Sequence, residues 1–384
     1  MKSTERFQTD KVFLVSLAHF FHDTYTAFLA PLLPVLKQHY GFSLTFAGFL
    51  SVIQRMPMML NPLIGILAER TKARYFVIFS PAVTAISMSL VGVSHSKTFL
   101  IIIVLVSGIS SSFFHVPSPV MIKRVSGSRV GRGMSFFMGG GELARTIGPV
   151  IALGAVELWG LHGLTKMIPV GILASFLLWM RFRNIPISSK VSHSTFHGYL
   201  GTLKEIFPVI YAIAMIFFFR TAMKSALTFY LPVFLENRGE SLWFAGISLS
   251  VLQGSGVVGT LFAGNLSDKI GKKNMLKIST IVTPFLMFAF LYTSGIVQIG
   301  VLVLIGLFLF ITGPVFLAIV NDLKVKHSNL VNGVYMTTTF IIGALMVMLV
   351  GFLGDHLDLE LTYKITAFMA LGAIPFSFTI KTRL

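Results

Sequence analysis

Apolar residues run along this chain in long stretches, separated by short polar and basic punctuation. The stretches do not alternate at period two, so the short tilted strands of a membrane barrel are not predicted. Their length fits helices that cross a hydrocarbon layer about 30 Å thick, at about 1.5 Å per residue. Twelve such spans are predicted, at about 11–37, 44–68, 75–94, 98–120, 132–157, 162–182, 206–235, 242–266, 274–294, 297–320, 328–352 and 360–380. The expected fold class is an all-α polytopic membrane protein with twelve transmembrane helices.

The pattern repeats. "LPVLKQHYGFSLTFAGFLSVIQ" at 33–54 matches "LPVFLENRGESLWFAGISLSVLQ" at 231–253, with Pro34 on Pro232 and Phe46-Ala47-Gly48 on Phe244-Ala245-Gly246, an offset of 198 that becomes 199 at Gln54 and Gln253 through one inserted residue. The expected domains are an N-terminal six-helix half at 1–183, a cytoplasmic linker at 184–205, and a C-terminal six-helix half at 206–384. The linker, "NIPISSKVSHSTFHGYLGTLKE", is the longest polar stretch. Two pseudo-symmetric halves place a substrate path between them near the bilayer midplane.

Composition agrees with that picture. The chain has 384 residues, 54% hydrophobic and only 12% charged, about half the charged share of a soluble domain. The net charge of +17 does not call for nucleic acid, because no soluble domain carries a basic face. The basic residues instead fall in alternate loops. One set holds Lys2, Arg6, Lys11, Arg70, Lys72, Arg74, Lys123, Arg124, Arg129, Arg132, Arg181, Arg183, Lys190, Lys204, Lys269, Lys272, Lys273, Lys277, Lys324, Lys326, Lys381 and Arg383. The opposite set holds only Lys37, Lys97, Lys166, Arg238 and Lys364. By the positive-inside rule, both termini are expected in the cytoplasm and the protein in the cell (inner) membrane. The chain has no cysteine, which excludes disulfides, thiol catalysis and thiolate metal sites. No removable signal peptide is read at the N-terminus.

Six ionisable residues besides histidine stand deep inside predicted spans: Asp23, Arg55, Glu142, Arg145, Arg220 and Lys224. Each costs a few kcal/mol or more in lipid, so each is a functional candidate. In "HFFHDTYTAFLAPLLP", His19, His22 and Asp23 share one helix face at spacings of three and four. Asp23, His22, His19 and Glu142 are the proton-coupling candidates. Glu142 and Arg145 can instead form a structural same-helix pair. Arg220 and Lys224, four apart on span seven, cannot neutralise each other and call for an anion. Arg220, Lys224, Arg145, Arg55, Tyr25 and His115 are the substrate-binding candidates. The span-one carboxylate and the span-seven cations, on repeat-equivalent helices, are expected to face one cavity. Pro31, Pro34 and Pro232 predict bends near the ends of spans one and seven. The run "GGGELARTIGP" in span five supplies small residues for close helix packing. Asp322, at the end of span ten, is read as a loop or capping residue.

The stretch "GNLSDKIGKK" at 264–273 resembles the loop signature of the major facilitator superfamily. Its first-half counterpart, "GILAERTKAR", departs from the pattern, with Glu69 for Asp and Lys72 for Gly. The resemblance implies the major facilitator fold. It implies gating roles for Gly65, Glu69 and Arg70 and for Gly264, Asp268, Lys269 and Gly271. Three further stretches, "HFFHDTYTAFLAPLLP", "GISSSFFHVPSPVMIKRVSG" and "GRGMSFFMGGGELARTIGPV", resemble the fosmidomycin-resistance branch of that superfamily. In the second of them Val116 separates His115 from Pro117. The branch implies proton-driven efflux of small molecules.

The leading expectation is therefore a secondary active transporter: a proton-coupled antiporter that exports a small anionic or amphipathic compound by alternating access. Its partners would be that compound, protons and the lipid bilayer, with no nucleic acid and no second copy. Movement of lysolipid-like anions is an alternative that the 37 phenylalanines would suit. A non-transporting sensor would usually carry an appended signalling domain. An enzyme is not expected, because no His-Glu-x-x-His pair appears. Without a Walker-type glycine loop, ATP-driven transport is disfavoured. No cofactor and no metal site are expected.

Overall fold

The computed structural model describes residues 7–61, 63–64, 67, 73–127, 129–184, 199–321 and 328–380, and these are helical throughout, with no strand among them. Nine helices among the described residues are long and apolar enough to cross a membrane. The predicted spans fall on helices at nearly every position. Span five is Val130–Trp159, span eight Leu242–Ile270, span ten Gly295–Asn321 and span eleven Ser328–Leu357. Span two begins as Leu44–Arg55 and continues as the 3₁₀ turn Met56–Leu60. Most of the predicted linker, and Asp322, lie outside the described residues.

The chain divides into two compact units, one of residues 1–41 and 50–192, the other of residues 42–49 and 193–384. Inside the first unit, the Thr9–Thr26 helix packs along Val130–Trp159, and Arg74–Ser89 packs against Lys97–His115 and Ile168–Phe182. Inside the second, Tyr199–Ser225 packs along Ser328–Leu357, and Lys272–Leu291 against Gly295–Asn321 and Leu359–Leu371. The two schemes are the same scheme repeated. One close approach shows it in detail: a Cβ on Gly108 would run into the Gln54 carbonyl, and a Cβ on Gly306 into the Leu252 carbonyl. Both members are displaced by the same 198 residues, so the sequence repeat is also a packing repeat.

The predicted bends have a physical form. Pro31 has no N–H to give the carbonyl of Ala27, and span one breaks there into Thr9–Thr26 and Leu29–Tyr40. The Phe28 N–H falls back on the Tyr25 carbonyl at 3.1 Å, and Gln54 Nε2 donates to the Thr26 carbonyl beside the break at 3.2 Å. Span seven meets the same problem at Pro232 and widens into a π-helical turn at Ala226–Tyr230. There the Tyr363 hydroxyl donates to the Ala226 carbonyl at 2.6 Å, and Thr228 Oγ1 to the Lys224 carbonyl at 2.8 Å. Carbonyls released in an apolar interior are thus supplied with donors. Such π turns often mark functional segments.

The start of span two packs within the second unit. Asp355 accepts from the backbone N–H groups of Leu44 and Thr45, both at 2.7 Å, and from Thr45 Oγ1 at 2.6 Å. A carboxylate there satisfies the orphan donors of a helix N-terminus and complements its dipole. Asp355→Ala is expected to lower stability by about 1–2 kcal/mol, read as a fall in the melting temperature of the detergent-purified protein. An unchanged melting temperature would mean that water caps the helix equally well.

Candidate functional site

Span one carries the densest polar cluster of the first unit. His19, His22 and Asp23 are all buried, at 4%, 0% and 6% exposure. His19 Nε2 lies 3.2 Å from Asp23 Oδ2. His115, at the end of the Lys97–His115 helix, brings its Nε2 to 3.1 Å from Asp23 Oδ1 and remains partly exposed. One carboxylate is thus held between two imidazoles from different spans.

Hydrogen-bond bookkeeping assigns the tautomers. His19 Nδ1 lies 2.7 Å from the Phe137 carbonyl, which can only accept, so this nitrogen carries the proton. In the neutral ring, Nε2 then presents a lone pair to the Asp23 carboxylate. His22 turns away, with its Nδ1 3.2 Å from Thr84 Oγ1. Thr84 donates to Ser110 Oγ at 2.8 Å, and Ser110 donates to the Ser80 carbonyl at 3.0 Å. The threonine proton is therefore used, and His22 Nδ1–H is the donor. His22 Nε2 is buried without a partner. Aromatic faces hold both rings: His19 stacks on Phe137 at 4.1 Å and His22 on Phe114 at 4.4 Å.

The glycine run of span five makes room for this cluster. A Cβ at Gly141 would lie 2.6 Å from His19 Cε1, 2.7 Å from His19 Nε2 and 3.2 Å from Asp23 Oδ2, whereas one at Gly139 would meet nothing within 4 Å. Gly141→Ala is expected to displace the His19 ring and to lower the melting temperature, at a cost of about 1–3 kcal/mol for overpacking. Gly139→Ala should leave it unchanged or slightly raised. Equal melting of the two variants would contradict this packing.

The other first-unit candidates lie apart from the cluster. Glu142 and Arg145 pair with each other along span five, with Arg145 exposed and Glu142 half-buried. Arg55 ends the Leu44–Arg55 helix and is exposed. Tyr25 is buried, and its hydroxyl donates to the Met167 carbonyl at 2.5 Å. That bond ties span one to the start of span six.

The second unit holds the span-seven cations. Arg220 is 5% exposed. Its Nη2 donates to Ser279 Oγ at 3.1 Å and to Thr283 Oγ1 at 3.4 Å, both on the Lys272–Leu291 helix. Among the described residues no carboxylate pairs with Arg220, and its Nε is buried without a partner. Lys224 is half-buried, with Nζ 5.2 Å from the centre of the Phe310 ring. Arg220, Thr221 and Lys224 line a small cavity together with Phe217, Leu309, Thr312 and Phe316. Two cations and two threonine hydroxyls set among aromatic and aliphatic side chains suit an anion attached to an apolar body.

Of the gating candidates, Gly65, Glu69 and Arg70 lie outside the described residues. Gly264 and Asp268 fall on the Leu242–Ile270 helix, whose last turn carries the exposed Lys269. Gly271 follows with φ +86°, a backbone conformation that favours glycine, and links this helix to the next.

Known proteins place this architecture. The fosmidomycin resistance protein of Escherichia coli (strain K12) is 25% identical over 370 residues, covering 93% of this chain and 89% of that one. An uncharacterized MFS-type transporter of Bacillus subtilis (strain 168), YfnC, is 22% identical over 374 residues, covering 94% and 91%. Among solved structures, a bacterial homologue of the human lysosomal transporter Spinster, inward-facing and unoccupied, superposes with a TM-score of 0.82 at 12% identity, covering 99% of this chain and 98% of that one. A D-xylose-proton symporter does so at 0.77, also at 12% identity, covering 97% and 98%. The profile of the Major Facilitator Superfamily matches residues 15–347. These likenesses span both helical units, and the chain is a membrane transporter that belongs to the major facilitator superfamily.

Proposed function

We propose that this transporter exports a small anionic or amphipathic compound in exchange for protons, by alternating access in the cell membrane. The observation that carries the reading is the meeting of two acceptors. His19 donates through Nδ1 to a backbone carbonyl, so its Nε2 lone pair faces the Asp23 carboxylate at 3.2 Å. Two lone pairs at that distance repel unless a cation lies between them, and a proton is the cation always at hand. A membrane-embedded site that takes up and gives back one proton is what coupling requires. His115 is the partly exposed member, through which the proton passes.

The anionic character of the substrate rests on Arg220, a buried guanidinium with hydroxyl partners and no carboxylate among the described residues. The resistance protein of Escherichia coli supports efflux, and the proton symporter shows that a protein of this fold can couple to protons. The alternation of basic loops supports cytoplasmic termini. The test is a substrate screen in proteoliposomes with an imposed pH gradient, preceded by ligand-induced thermal stabilisation as a filter. At least one anionic compound should move faster with the gradient than without it. Stabilisation by neutral or cationic compounds alone would contradict the anionic reading.

A further inference from the structure

We propose that His19, Asp23 and His115 form a binding site for a divalent transition-metal ion of the zinc, cobalt or nickel kind. Among the described residues, the donor atoms of these three side chains all lie within 4.8 Å of one another. The carboxylate oxygens stand 3.2 Å from His19 Nε2 and 3.1 Å from His115 Nε2. Ligands about 2.0–2.1 Å from a tetrahedral zinc are about 3.3 Å apart, so both carboxylate–imidazole spacings already fit, and the two imidazole nitrogens start within 4.8 Å of each other. Two imidazoles and one carboxylate, with a fourth position left to water, make a donor set suited to these metals.

Three further observations point to an ion. The His19 ring is oriented as a ligand is, with its other nitrogen donating to a backbone carbonyl at 2.7 Å and its face stacked on Phe137. Gly141 keeps the space beside His19 Nε2 and Asp23 Oδ2 free of side chain. His115 is half-exposed, which leaves an entry path and room for water. His22 is not part of the donor set, because its ring nitrogens do not fall within 4.8 Å of all the other donor atoms. A metal seated here would occupy the lone pairs that the proposed function assigns to the proton. Its binding is measured without transport, so it stands or falls separately from that reading.

The experiment is a titration of Zn²⁺ into the purified full-length protein, carried on a tag without histidine, against a chromophoric zinc chelator. Co²⁺ absorption reports the ligand geometry in parallel. One Zn²⁺ per chain is expected, with Co²⁺ bands in the visible range. His115→Ala and His19→Gln should each weaken binding at least about tenfold. Melting temperatures of the variants identify any that fail to fold, and the wild-type stoichiometry and Co²⁺ spectrum need no variant. Away from this cluster and among the described residues, His39 and His162 form another exposed imidazole pair, with ring centres 5.9 Å apart. His39→Ala should therefore change nothing. Absence of Zn²⁺ binding to the wild type would overturn the proposal. So would binding lost in His39→Ala and kept in His115→Ala.

Discussion

Asp23→Asn is expected to abolish transport driven by a pH gradient while leaving substrate exchange and folding intact. The amide keeps the shape of the carboxylate. It can donate to the His19 Nε2 lone pair while keeping an oxygen 3.1 Å from His115 Nε2. The fold should tolerate the change, because an ionised carboxylate inside the membrane span is replaced by a neutral group. What is lost is the ability to hold and release a proton. Exchange of labelled for unlabelled substrate at equal pH should proceed in the variant, and gradient-driven accumulation should not. Retention of full gradient-driven accumulation would remove Asp23 from the coupling step.

Arg220→Met should do two opposite things. Substrate affinity should fall, and the empty protein should become more stable. A hydrogen bond to a charged group contributes about 1.5–3 kcal/mol, so losing the guanidinium should weaken anion binding on the order of 10- to 150-fold. The same guanidinium is buried without a carboxylate among the described residues, and a lone arginine at membrane depth costs about 2.5–3.5 kcal/mol on insertion scales. Its two partners do not depend on it. Ser279 Oγ donates to the Phe308 carbonyl at 2.5 Å, and Thr283 Oγ1 to the Ser279 carbonyl at 2.8 Å. The expected signature is a raised melting temperature without ligand and a smaller shift with it. A lowered melting temperature together with unchanged affinity would make Arg220 a structural residue.

Much of this architecture was legible from the chain. Lipid leaves a spanning segment few options, so hydropathy located the spans, and the offset of 198 recurs in the close approaches at Gly108 and Gly306. The Arg220 and Lys224 pair was legible because a spacing of four puts both on one helix face, and both do line one cavity.

Other features needed three dimensions. On a helix at about 100° per residue, His22 stands about 60° to one side of His19 and Asp23 about 40° to the other. That difference sends His22 to the Thr84 hydroxyl, which in turn donates to Ser110, and Asp23 toward span five. The partnership of His115 with Asp23 depends on how span four lies against span one, which periodicity within one helix does not encode. The cap of Asp355 on Leu44 and Thr45 is long-range for the same reason. The π turn at Ala226–Tyr230 had a local signal in Pro232, but a proline permits several adjustments, and side-chain donors such as Tyr363 determine which one forms.

The proposed coupling requires a proton that resides at Asp23 and moves when substrate moves. A pH-sensitive dye sealed inside proteoliposomes counts that proton directly. With no initial pH gradient, an outward gradient of an identified anionic substrate should drive protons inward through the wild type, and the lumen should acidify. The Asp23→Asn protein should pass substrate with no change in lumenal pH. Substrate flux through the wild type without proton movement, or equal proton movement through both proteins, would contradict the account.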